Sequence, residues 1–221
     1  MSNAKRNETL LLCGSLGIES LVVEMESKIS RHSTPSAILG PFYQQNAPLL
    51  SNGSDIVSPK YGKFTDQRTL FSGHVLDSLR RPIGGAVIEV WLAAPNGMYE
   101  QQDPSQPEDN LRAQLKTDKK GAFGMYCLRP GSYQIPDDGP TGRFLRMLNR
   151  SSWRPAHIHV KVHAKGYCPL TTQFYDSEDN RLTDDAVFAV KKDLVVKFEP
   201  RVDDPRAKWT LNVDIVLSKQ I

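Results

Sequence analysis

LFSGHV (70–75) and AVIEVW (86–91) alternate apolar with polar positions, are rich in β-branched and aromatic residues, and are joined by RRPIGG (80–85). A period of two buries one face of an extended segment and leaves the other polar, so both read as strands. The Pro-Ile-Gly-Gly turn between them predicts a β-hairpin. Downstream, residues 113–117 and 121–126 flank Asp118-Lys119-Lys120-Gly121, which predicts a second hairpin. Further short strands follow at 156–162, 170–174, 195–198 and 209–216. With turn signals between them and no long helix intervening, the expected fold is mainly β, a two-sheet β-sandwich.

Upstream the period changes. From Glu8 to Ile29 the apolar residues Leu10, Leu12, Leu16, Ile18, Leu21, Val22 and Met25 recur at helical steps, interrupted by Gly14 and Gly17. This predicts one broken helix or two short ones. Between Thr34 and Lys63, Pro35, Pro41, Pro48 and Pro59 with Gly40 and Gly53 mark a long surface connection. The chain thus divides into an N-terminal helical segment (1–33), a linker (34–69) and a β-sandwich domain (70–221).

Composition narrows the class. A chain of 221 residues suits one ordinary β-rich domain. Its 28 basic and 25 acidic residues leave +3, without a basic run, so neither nucleic acid nor membrane is implied as a partner. Cys13, Cys127 and Cys168 form no CxxC pair, which argues against a disulfide framework or zinc cluster and for a reducing compartment. No signal peptide and no membrane span are read, so the expected location is cytoplasmic. Ser2-Asn3-Ala4 resembles a cloning scar.

Chemistry concentrates in Trp153-Arg154-Pro155-Ala156-His157-Ile158-His159-Val160. Histidines two apart on a strand point to one face and can reach one ion, although the same pattern fits two polar residues on a wet sheet face. No acid lies close in sequence; Asp137 and Asp138 precede Gly139-Pro140, where a turn role suffices. Tyr133, on an extended segment outside regular structure, is the other nearby donor, and a strongly acidic cation can ionise a phenol. Zinc or ferrous iron with a carboxylate remains an alternative, as does a metal-free β-sandwich binding module. His74 and His163 read as surface residues, Cys127 and Cys168 as buried small hydrophobes, and Trp91, Trp153 and Trp209 as core.

Several motifs, in order, resemble the intradiol ring-cleavage dioxygenases, in the hydroxyquinol and catechol 1,2-dioxygenase branch. They are LGPFY (39–43), VIEVW (87–91) leading into NGMY (96–99), NLR (110–112), YQIPDDGPTG (133–142), WRPAHIH (153–159) and LTTQ (170–173). The resemblance implies one non-haem Fe(III) per chain, held by Tyr99, Tyr133, His157 and His159. It implies that Arg154 and Gln173 act on the substrate, with Tyr133 also taking a proton. Ile38, Leu39, Gly40, Pro41 and Tyr43 would form one pocket wall, Ala186 and Val187 another, making 34–69 a pocket-lining linker and 70–221 the catalytic domain. The implied reaction is O2-dependent cleavage of a catechol-type ring to a muconate-type diacid. YQIPDDGPTG and DAVFAVK (185–191) look most like hydroxyquinol enzymes, which makes hydroxyquinol (1,2,4-trihydroxybenzene) the expected substrate, with catechol or a substituted catechol as the alternative. Where relatives often carry Asp after a Leu-Val pair, this chain reads Leu21-Val22-Val23-Glu24, which removes a polar partner for a third hydroxyl. Relatives use additional N-terminal helices for a homodimer interface and a bound lipid. Only the last of these has a counterpart here, which weakens both expectations.

Overall fold

The computed structural model describes Ser2, residues 7–27 and residues 33–220. Within these, the helical segment resolves into α1 (Glu8–Ser15) and α2 (Ile18–Ser27). They break at Gly17, whose φ of +73° suits a residue without Cβ. Asn7 caps α1 by accepting from the Thr9 and Leu10 amides. Asn3 and Ala4 of the scar-like triplet, and Lys28 and Ile29 at the end of the expected helix, lie outside the described residues.

Among the described residues, eleven strands form the body. One sheet orders β10 (Glu199–Pro200), β11 (Trp209–Leu217), β1 (Arg68–Asp77) and β4 (Ala122–Leu128). The other orders β3 (Arg112–Lys116), β2 (Val87–Leu92), β7 (His157–His163), β8 (Leu170–Asp176) and β9 (Val195–Val196). Phe71, Val75, Met125 and Ile215 from the first meet Ile88, Val90, Ile158 and Val160 from the second in one core. The expected sandwich is therefore present, and alternation explains it: each inner residue is followed by one that leaves the core.

Neither expected hairpin forms. β1 already has a partner on each side, β11 in parallel and β4 antiparallel, so β2 has no free edge to join and crosses to the other sheet. The Asp77 carboxylate turns the chain by accepting from the Leu79 and Arg81 amides, both 2.9 Å. The return strand reaches only Ile83, which donates to Val75 O. The 118–121 turn likewise links β3 in one sheet to β4 in the other. Thr117 Oγ1 ties these crossings together, accepting from Ala86 N at 2.9 Å and donating to Ile83 O at 2.8 Å.

Two features were not expected from sequence. Tyr133 is not outside regular structure: β5 (Tyr133–Gln134) pairs with β6 (Trp153–Arg154), setting Tyr133 opposite Arg154. The Asp-Asp-Gly-Pro turn opens a helix, α3 (Pro140–Met147), with Pro at its first turn. Gly139 offers no capping side chain; Glu8 of α1 substitutes, its carboxylate accepting from Thr141 N at 3.1 Å and Thr141 Oγ1 at 2.9 Å. Gly142 is obligatory there, since a Cβ would stand 1.7 Å from Asp137 O. The 34–69 linker runs along the body, pairing Ala37 N with Thr171 O, Leu50 N with Gln114 O and Ile56 N with Tyr126 O. Cys168 is exposed rather than buried, and Trp153 and Trp209 are only partly buried, each under an arginine, Arg181 and Arg129 respectively.

Candidate active site

The candidate residues gather on the outer face of the five-stranded sheet. In β7, Ile158, Val160 and Val162 enter the core, so period two sends His157 and His159 the other way. Cross-strand register lines up Trp91, His159 and Gln173 on β2, β7 and β8, and pairs His157 with Tyr175. This face is not wet: His157 and His159 are 2% and 1% exposed. Loops and the linker roof it over.

Two of those loops deliver the tyrosines. Gly97, at φ +77°, lets the turn after β2 lie against Ser132, whose carbonyl would be 2.5 Å from an added Cβ; Gly131 approaches Pro95 O in the same way. Contact without side chains brings Tyr99 and Tyr133 together, ring centroids 5.5 Å apart and edge to face. The turn is held by Asp103, which accepts from Ser105 N at 2.9 Å, Ser105 Oγ at 2.7 Å and Asn96 Nδ2 at 3.2 Å. Those hydrogen bonds hold the Asp103 carboxyl down to about 2. Phe42 stacks on Tyr99 at 4.3 Å.

The polar atoms converge. His157 Nδ1 sits 2.6 Å from Pro155 O, which makes it the donor and turns Nε2 towards the site. That Nε2 lies 3.0 Å from His159 Nε2 and 3.3 Å from Arg154 Nη1. Arg154 Nη1 also donates to Tyr133 Oη at 3.4 Å. Burial, with the Arg154 charge adding to it, holds His157 down to about 3; burial and His157 keep His159 well below the ordinary imidazole range. Both are neutral lone-pair donors at neutral pH. Tyr99 Oη is buried without a hydrogen-bond partner, and burial first, then Tyr133, raises its pKa well above a free phenol's. His159 Nδ1 likewise has none; its ring is held by stacking on Trp91, 4.7 Å away at 10°, and by Gly40, whose absent Cβ would be 3.1 Å from Cε1.

Arg154 is 1% exposed and fully engaged. Its Nε donates to Asp185 Oδ1 at 3.0 Å, and its Nη2 to Gln173 Oε1 at 2.8 Å. Gln173 in turn donates Nε2 to Ile38 O at 2.6 Å, so its amide links the guanidinium to the linker wall. Burial, the largest single effect, would raise the Asp185 pKa, but the Arg154 charge together with the hydrogen bonds from Arg154 and the Ala189 amide holds the carboxyl below its usual range. Among the described residues no group of three or more His, Cys, Asp or Glu comes together, so the two histidines have no carboxylate to share a metal with.

The walls are mixed. Ile38, Ala186 and Val187 are buried in one cluster with Tyr99 and Tyr133, and Val23 of α2 packs against it. Leu39 and Pro41 are exposed, and Gly40 half-buried. Tyr43 lies against Trp91 and donates to Glu89 at 2.9 Å. His74 and His163 are exposed. Sequence reasoning missed Asp185 and Tyr175; Trp91 is core as expected, in the cluster with Tyr99 and Tyr133 rather than between the two sheets. That position was readable: Trp91 shares a strand face with Glu89 and opposes the inward Ile88 and Val90. Nothing local distinguishes Asp185 from the acids beside it.

Neutral imidazoles on the sheet face thus meet phenols and a buried guanidinium above it, a nitrogen and oxygen donor set that could hold a cation. A family model described as Dioxygenase matches residues 38–219. The chain is 40% identical over 226 residues to the intradiol ring-cleavage dioxygenase prcA of Aspergillus niger, covering 99% of this chain and 70% of that one. It is 42% identical to the catechol 1,2-dioxygenase of Candida albicans, covering 100% and 74%. It superposes on the crystal structure of hydroxyquinol 1,2-dioxygenase from Pseudomonas putida DLL-E4 with a TM-score of 0.92 and 36% identity, covering 100% and 78%. The chain belongs to the intradiol ring-cleavage dioxygenase family. It is a 1,2-dioxygenase of catechol-type rings. Among the described residues no helix is long and apolar enough to cross a membrane.

Proposed function

We propose that this chain cleaves hydroxyquinol with O2 at one Fe(III) held by Tyr99, Tyr133, His157 and His159, yielding a muconate-type diacid. The carrying observation is a convergence of ligand-type atoms in a dry site: two imidazole Nε2 atoms 3.0 Å apart, with a buried Tyr99 oxygen that has no hydrogen-bond partner. Leaving the Tyr99 hydroxyl unpaired costs on the order of 1–3 kcal/mol. A hard trivalent cation satisfies all three atoms together, and phenolates match its charge and hardness. It would also reverse the burial effect that keeps Tyr99 protonated. When bound, ferric iron supplies the Lewis acidity that ionises a diol and enriches its ring towards O2.

The chain's own residues do the rest. Tyr133, which accepts from Arg154 across the β5–β6 pair, would as a phenolate be able to take up a substrate proton. Arg154 carries a permanent charge in a dry site, where it stabilises negative charge building on the ring. Gln173 fixes Arg154 against Ile38. In this reading residues 34–69 line the pocket, 70–221 form the catalytic sandwich, and 1–33 belong to a helical dimerisation region. Hydroxyquinol is supported by YQIPDDGPTG and DAVFAVK. Apolar Val23 against the site cluster favours catechol or an alkylated catechol as the second reading. Oxygen uptake by the iron-loaded protein, compared on hydroxyquinol, catechol and 4-substituted catechols, tests both. The expected result is the highest kcat/KM on hydroxyquinol; a preference for catechol overturns the substrate, and no uptake on any overturns the function.

A further inference from the structure

The Arg154 guanidinium has three edges, and only one faces the reacting groups. The Nη1 edge looks onto Tyr133 Oη and His157 Nε2, and Nη2 is held by Gln173. The third edge, Nε with Nη2, lies on the Asp185 carboxylate at 3.0 and 3.5 Å. Asp185 is buried in the loop between β8 and β9. Its carboxylate also accepts from the backbone amides of Val187 at 3.4 Å and Ala189 at 2.9 Å. One carboxylate therefore serves four N–H groups, two on the catalytic cation and two on the pocket wall.

That wall is strained and tethered. Phe188 sits at φ +55°, an uncommon left-handed conformation for an aromatic residue. Around it, Ala186 N donates to Trp153 O at 2.9 Å, Arg150 Nη2 donates to Ala186 O at 3.0 Å, and Ser20 Oγ of α2 donates to Phe188 O at 2.7 Å. Without the Asp185 carboxylate, the loop loses the acceptor that folds 187–189. The guanidinium loses its counter-charge in a dry site, and its nearest remaining acceptors are the Gln173 oxygen, His157 Nε2 and the Tyr133 and Tyr175 oxygens.

We propose that Asp185 is a positioning residue that aims Arg154 at the substrate ring and, through the same carboxylate, sets where Ala186 and Val187 stand. Turnover rate and tolerance of ring substituents are thereby coupled through one side chain. The proposal rests on the reading of Arg154 as the catalytic cation. Asp185→Asn keeps the size but places an NH2 against N–H donors, so at most half of the four contacts survive.

The test is a double-mutant cycle on the iron-loaded full chain, combining Asp185→Asn with Arg154→Gln. Single-turnover rates keep slow variants measurable, and melting curves monitor folding. Asp185→Asn alone is expected to lower the rate by about 10- to 100-fold, as loss of a supporting contact does at comparable sites. It is also expected to change the ratio of KM values between catechol and 4-methylcatechol. In the Arg154→Gln background the rate effect should shrink to within about twofold while the KM ratio still shifts, because the partner through which the rate is set is gone. An equal rate loss in both backgrounds, or none in either, overturns the proposal. If Arg154→Gln alone leaves the rate unchanged, the reading of Arg154 fails first, whatever Asp185 does. Should Asp185→Asn not fold, Asp185→Glu carries the same cycle, since it keeps the charge but displaces the carboxylate by one methylene.

Discussion

Replacing Gly40 by Ala separates backbone strain from the contact with His159. Gly40 has φ +76°, and its new Cβ would lie 3.1 Å from His159 Cε1 and 3.7 Å from Nε2. Alanine in the left-handed region costs roughly 1–2 kcal/mol at any such position. Gly53 provides the control, with φ +87° and nothing within 4 Å of an added Cβ. Both variants should therefore lose about the same backbone term, worth about 2–4 °C of melting temperature per kcal/mol in a chain of this size. Only Gly40→Ala also pushes the imidazole, by a few tenths of an ångström, and that ring is stacked on Trp91 with its Nε2 3.0 Å from His157 Nε2. A displaced ligand typically weakens metal affinity by about 10- to 100-fold. The assay is paired: thermal melts of the iron-free proteins, and iron retention against a competing chelator. The expected result is similar melting losses but faster iron loss from Gly40→Ala alone. Equal iron retention in the two variants would refute the placement of His159 as a ligand.

Glu8→Ala should destabilise the fold by about 1–2 kcal/mol, because it uncaps α3 from outside the helix; a cycle with Thr141→Val in urea should show coupling, and additivity would count against the cap. The hydrogen bonds it accepts hold the Asp103 carboxyl down to about 2, below an ordinary aspartate's, so its stabilising effect is present above the unfolded value and is lost as pH falls through the folded one. The stability gap between wild type and Asp103→Asn should be constant near neutrality and close between about pH 4 and pH 2; a gap that persists to pH 2 contradicts the assignment. Because the same carboxylate orders the turn carrying Tyr99, Asp103→Asn should also retain iron less well.

Alternation was enough to read the sandwich, since Ile88, Val90, Ile158 and Val160 all bury as their spacing requires. Which strands pair was not readable from turns. Arg80–Gly85 has the composition of a hairpin turn, yet β1 is flanked on both sides by strands from distant parts of the chain, and that is set by tertiary packing. For the site, strand geometry puts His157 and His159 on one face, and their near-complete burial, which the sequence did not give, sets them apart from a wet sheet face. Tyr99 and Tyr133 reach them only because Gly97 and Gly131 let two loops touch, a contact between segments far apart along the chain. Asp185 was invisible for a related reason: its role depends on Arg154, 31 residues away, and no periodicity reports on that pairing.

Phenolate ligation by Tyr99 and Tyr133 would distinguish a ferric, ring-opening centre from a generic two-histidine metal site, and colour reads it directly. The visible absorption of the iron-loaded protein should show a tyrosinate-to-Fe(III) charge-transfer band that gives it a wine-red appearance. Tyr133→Phe and Tyr99→Phe should each bleach or shift that band. A colourless protein at full iron occupancy, or a band unmoved by either substitution, would contradict the assignment of Tyr99 and Tyr133.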